Sequence, residues 1–179
     1  FLVTLAVIGI RYIRLRKKLK ALSGVLQGSL SKFPFLASFN GIYEGLKFAI
    51  RLVPSGGGFT YLYIAVFKTS TLRVSVWKKS ETTHLINIGS MKLIETHDNI
   101  FDNEFLVLSK RPDFAGNYFA SEERKAAMRE VFADSFDKLK IDGKKILIRK
   151  PNYDSAVDLA PQKVILYIKR LSLLARGLY

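Results

Sequence analysis

Phe1 to Ile10 carry no charge, and apolar residues then recur at Ile13, Leu15, Leu19, Leu22 and Leu26, near one helical face. Arg11, Arg14, Arg16, Lys17, Lys18 and Lys20 form a dense basic run along the same stretch. The pattern predicts a helix through about Leu22. From Phe39 the period changes to two. In "FNGIYEGLKFAIRLV", Ile42, Leu46, Phe48, Ile50 and Leu52 are apolar, and Gly45, Lys47 and Arg51 lie between them, so one strand with one buried face is expected. Gly41 and Gly45 inside the run predict a bulge or a close backbone approach. "PSGGG" ends it in a turn. "FTYLYIAVF" and "LRVSVWK" follow as strands, "HLINIGSMKLIET" as a less regular pair and "NEFLVLSK" as another strand.

"SEERKAAMREVF" predicts a helix with Ser121 as N-cap and two acids at the positive end of its dipole. In "FDKLKIDGKKILIRK", Asp142-Gly143 is a favoured hairpin turn. Leu139, Ile141, Ile146 and Ile148 then share one face, and Lys138, Lys140, Lys145 and Arg149 the other. Near the C-terminus Val157, Ala160, Val164, Ile168, Leu171, Ala175 and Leu178 recur at spacings of three and four. They predict an amphipathic helix starting near Ala160, whose seam packs on the sheet or meets a partner.

These elements divide the chain into residues 1–22, 23–38 and 39–179. The first is a helix with a basic second half. The second is a Gly/Ser/Pro-containing linker with Phe33, Phe35 and Leu36 as docking residues. The third is an α+β domain: an antiparallel meander with one inserted helix and the C-terminal helix. A meander capped by a terminal helix is similar in architecture to pleckstrin-homology-like domains, and fold alone fixes no function.

Charge sharpens the first segment. Twenty-nine Lys and Arg stand against fifteen Asp and Glu, a net charge of +14. Such an excess favours an anionic partner. A bilayer core of about 30 Å needs about 20 apolar helical residues, and ten make half a span. The opening is therefore a transmembrane helix whose first half is missing, or an amphipathic helix on a membrane surface, or a core helix with a solvated basic face. The sharp change from apolar to basic favours a truncated transmembrane anchor with its basic half on the cytoplasmic side. Arg11, Arg14, Arg16, Lys17, Lys18 and Lys20 are then the expected lipid-headgroup ligands.

Little in the chain points to catalysis. It has no cysteine, which excludes disulfides and thiolate sites. "ETHDNIFDNEF" places Glu95, His97, Asp98, Asp102 and Glu104 close together, but not in the order of a calcium loop. It is better explained as a loop leading into a strand, with Asp98 or Asn99 capping its turn. His84 and His97 lack triad spacing, and Gly56–Gly58 lack the Lys and helix of a phosphate loop. Neither a catalytic residue, a metal site nor a cofactor is expected. Tyr61 and Tyr63 with Lys47 and Arg51 could form an aromatic, basic face for nucleic acid. The densest charge hugs the apolar N-terminus instead, which lipid explains more directly.

At "FNGIYEG", "THDNIFDNEFLVLSK" and "SEERKAAMREVF" the chain resembles a group of uncharacterised prokaryotic membrane-anchored proteins with a cytoplasmic α+β domain. In that pattern a glycine usually stands where this chain has His97. The resemblance implies a membrane-tethered domain on the cytoplasmic side of the inner membrane and brings no activity. The expectation is a non-catalytic accessory or scaffold subunit that positions an integral membrane protein complex. The alternative is a peripheral module that binds anionic lipid or nucleic acid through a basic sheet face.

Overall fold

A computed structural model describes residues 2–31, 37–55, 58–79 and 90–178. Its elements in chain order are α1 (Leu2–Ala21), β1 (Gln27–Leu30), β2 (Ser38–Tyr43), β3 (Leu46–Ser55), β4 (Gly58–Phe67), β5 (Val74–Lys78) and β6 (Lys92–Leu93). Then come α2 (Asn99–Glu104), β7 (Phe105–Ser109), α3 (Pro112–Phe119), α4 (Glu122–Ala133), β8 (Lys138–Ile141), β9 (Lys145–Pro151) and α5 (Pro161–Arg176). Among the described residues the strands form one nine-stranded sheet, ordered β1-β2-β3-β4-β9-β8-β5-β7-β6. Every neighbouring pair is antiparallel.

The expected transmembrane helix is overturned. No helix among the described residues is long and apolar enough to cross a membrane. α1 has the length, but six Arg and Lys fall within it, and each would be costly in hydrocarbon. Its second half is a docked element instead: Leu15 and Leu19 are buried, followed by Leu22 and Leu26, in the same core as Phe39 and Phe48. Part of the expected linker also belongs to the fold, because Gln27–Leu30 is the edge strand β1, paired to β2. Phe33, Phe35 and Leu36 lie outside the described residues, as do residues 84–89 of "HLINIGSMKLIET", whose remainder holds β6.

The meander is shorter than expected, running through β1–β4 only. β9 and β8 then insert between β4 and β5. Three helices, α2, α3 and α4, replace the single inserted one. The stretch from Phe39 to Val53 is two strands. Glu44 (φ 47°) and Gly45 (φ 78°) make a two-residue turn with both residues left-handed, the geometry that suits a tight hairpin. The turn inverts the alternation, so Phe39 faces the core beside Ile50, while Ile42 points to the other face and is exposed. Gly41 does mark a close approach: a Cβ there would meet the Gln27 carbonyl oxygen and the Phe48 ring.

One sheet face carries the core. Phe48, Ile50, Leu52, Leu62, Ile64, Val66, Ile146, Ile148, Leu139, Ile141, Val74 and Val76 point to it and are buried. α5 lies over β4 and β9, and its seam Val164, Ile168, Leu171, Ala175, with Leu178 beyond it, is buried, so this seam is packing. Val157 precedes α5 and is exposed. The β8–β9 hairpin pairs Leu139 with Ile148 and Ile141 with Ile146, two residues from the pairing of Leu139 with Ile146 that a two-residue Asp142-Gly143 turn sets. A slip of two keeps every side chain on its face, so the apolar inside and basic outside are as expected.

Candidate functional site

The sheet's other face presents cations, aromatic rings and small residues in ordered rows. Pairing registers place side chains on this face in lines that cross the strands. One row runs Arg51, Tyr63, Arg149, Lys138, Trp77 over β3, β4, β9, β8 and β5. The next runs Ala49, Ala65, Leu147, Lys140, Ser75 over the same strands. A third runs Lys47, Phe67, Lys145 over β3, β4 and β9. Over β3, β4 and β9 the middle row, Ala49, Ala65 and Leu147, is thus a floor of small and apolar groups with tall side chains on either side. Ala49 and Ala65, directly opposite each other, are 2% and 5% exposed although their face is open, because the flanking side chains overhang them. Phe67 and Val53 remain exposed at the rim. The hollow between the rows measures about 230 Å³ and is lined by Ala49, Arg51, Tyr63, Ala65, Lys145 and Leu147 among others.

The cations are held in different ways. Arg149 is bidentate to Asp137, at 2.9 Å and 2.6 Å; this partner raises the guanidinium's pKa above its ordinary value. Its charge is therefore largely matched. Lys138 sits 4.0 Å from the Trp77 ring centroid. Burial, then the nearby Arg149 and Lys140, lower its ammonium pKa. Arg149 also lies over the Tyr61 ring at 5.0 Å and the Trp77 ring at 5.3 Å. Lys47 and Arg51 project into solvent, and Lys145 stands 3.9 Å from Asp142.

The four residues expected to share a face, Lys47, Arg51, Tyr61 and Tyr63, do share it. Lys145 lies on the basic outer face expected for its hairpin; Ala49, Ala65 and Leu147 escape the sequence because their meeting depends on registers between strands far apart in the chain.

The basic run on α1 is a second surface. Arg14, Lys17 and Lys20 are exposed, beside exposed Ile10 and Ile13. Arg16 folds back, donating to the Tyr12 hydroxyl at 3.0 Å and the Ser31 carbonyl at 3.4 Å. Lys18 donates to the Ser155 hydroxyl at 3.2 Å. The Arg11 side chain lies outside the described residues.

The acidic stretch is used by the fold. Asp98 caps α2, accepting from the Phe101 amide at 3.0 Å, and meets Lys125 at 2.9 Å and Arg129 at 2.8 Å. The Phe101 amide first, then Lys125 and Arg129, hold its carboxyl well below the usual range. Lys125 is almost fully buried. Burial alone would lower its pKa, but Glu122 and Asp98 outweigh that and raise it. Asp102 accepts from the Thr96 amide and hydroxyl. Among the described residues no group of three or more His, Asp or Glu side chains is placed to hold a metal ion. His84 lies outside the described residues. Sequence reasoning missed Lys125 and Arg129 as partners of Asp98. It also missed Asp158, which is buried and accepts from Lys150 at 2.7 Å and the Asp154 amide at 2.9 Å.

No family model and no curated protein matches the chain. Among solved structures, the crystal structure of the mycobacterial trehalose monomycolate transport factor A, TtfA, is similar, with a TM-score of 0.57 over 89% of this chain and 95% of that one. At 12% identity the likeness is one of fold.

Proposed function

We propose that this chain is a non-catalytic accessory component of a membrane-associated assembly, and that it positions neighbouring proteins from the cytoplasmic side. The observation that carries the reading is the open cationic face over β3, β4 and β9, a surface built to meet something anionic. The shared fold with a transport factor supports a role beside a membrane transport system. Most of the acids in the described residues are committed to caps, turns and ion pairs, which suits a protein that holds rather than reacts. Contact with the membrane is peripheral in this reading. Exposed Ile10 and Ile13 reach the headgroup boundary, while Arg14, Lys17 and Lys20 meet anionic lipid at about 1 kcal/mol each.

The test is flotation of the full chain with anionic and zwitterionic vesicles, paired with isolation from its source in mild detergent. The chain should float with anionic vesicles at low salt, be released at high salt, and copurify with an integral membrane protein. Charge reversal at Arg14, Lys17 and Lys20 together should cut flotation at least tenfold without changing the melting temperature. A chain that stays with the soluble fraction at low salt and purifies alone overturns the reading.

Nucleic acid is the weaker occupant of the sheet face. Base stacking needs free ring faces, and those of Tyr61 and Trp77 already carry cations.

A further inference from the structure

We propose that the trough on the open sheet face is a binding site for a single-chain anionic amphiphile, an acyl chain with a phosphate headgroup. The proposal rests on the same face as the accessory reading and adds the chemistry of what it holds.

The floor is apolar and narrow. Ala49, Ala65 and Leu147 lie side by side on three adjacent strands, so the floor crosses about 10 to 14 Å at a strand spacing of about 4.8 Å. The wall rows lie two residues to either side along each strand, which sets their Cα atoms about 13 Å apart. The wall side chains themselves fill part of that width. A helix of about 10 Å diameter therefore cannot settle on the alanines. An extended peptide could enter, but its backbone amides would face alanine and leucine with no partner, at a cost comparable to lost hydrogen bonds. A bilayer surface is too flat to reach a floor that the walls overhang. A methylene chain meets none of these penalties, and Leu147, Tyr63 and Phe67 along the hollow offer it apolar contact above the covered alanines.

The charge selects the headgroup. Arg51 stands on one wall and Lys145 on the other, both lining the hollow, with Lys47 two residues before Ala49 on β3. Arg149 is matched by Asp137, which leaves Arg51 and Lys47 as the exposed positive charge at the rim. A hollow of about 230 Å³ suits one chain.

Trp77 is the single tryptophan of the protein, and it sits on this face at the end of the Arg51 row. It lies two strands beyond the hollow, so occupancy is read by titration calorimetry, with Trp77 fluorescence as a second signal. The full chain is titrated with a lysophosphatidylglycerol below its micelle concentration, with the lysophosphatidylcholine of equal chain length, with glycerol phosphate, and with poly-glutamate. The expected result is saturable binding of the first alone. Binding should weaken at least tenfold in the R51Q/K145Q double variant and be lost in Ala65→Phe, which fills the floor. The double variant changes only surface side chains and keeps the test open if Ala65→Phe does not fold. Equal responses to both lysolipids, or a response to glycerol phosphate or poly-glutamate alone, overturn the site. Silence towards every probe also overturns it. If that silence accompanies normal flotation and copurification, the trough fails while the accessory role stands; if those fail as well, both readings fall.

Discussion

Three separate contacts converge on Asp98. It caps one helix and anchors two cations from another, so α2 is tied to α4 through a single carboxylate. Because its folded pKa is depressed, its contribution to stability is fully present above the unfolded carboxylate value of about 4 and is lost as the pH falls below it. Asp98→Asn should therefore be less stable than the parent at pH 7, and the gap in melting temperature should close as the pH is lowered from 4 towards 2. A gap that stays constant over that range would contradict the assignment. The preceding residue shows a different constraint. His97 has φ 59°, a left-handed backbone that glycine adopts freely and other residues adopt at a cost.

At the scale of elements, the decisive case is α1. Leu19 is fully buried, so Leu19→Ala should cost about 2 to 5 kcal/mol, read from the urea midpoint. A free helix would give a change within about 0.5 kcal/mol. The basic run that argues for an anchor hides this, because Leu15, Leu19 and Leu22 at helical spacing look alike whether they face lipid or a sheet. The β8–β9 hairpin, α4 with its Ser121 cap and the α5 seam were legible, since each signal is local: a turn dipeptide, a capping residue, a repeat of three and four. The division at Glu44-Gly45 was not, because apolar alternation continues across the turn and only a positive φ at both residues breaks it. α3 was also missed, a short helix opened by Pro112. For the trough, alternation along β3 and β4 reveals Lys47, Arg51, Tyr61 and Tyr63. Ala49 and Ala65 become meaningful only when Leu147 and Lys145 arrive from a strand about eighty residues away.

For the molecule as a whole, one sheet and one continuous core join residues from Leu15 to Leu178. Such a core should unfold in a single transition. Trp77 fluorescence and far-ultraviolet circular dichroism should then give coincident urea curves; two separated midpoints would show that the β1–β4 half and the remainder are independent. The positive charge is distributed accordingly: one cluster on the helix at one end of the sheet, another across its open face. In the proposed reading these two surfaces serve separate partners, the helix a membrane and the sheet face an anionic ligand.

The place of β9 in the sheet has a consequence for how the protein is made. β4 is complete early in synthesis, yet its second neighbour is β9, near the end of the chain. At 5 to 20 residues per second, the intervening stretch of about eighty residues takes about 4 to 16 s to leave the ribosome. Throughout that interval the backbone edge of β4, with Leu62, Ile64 and Val66 along it, stands unpaired on the nascent chain, open to capture by a chaperone or by another unfinished copy.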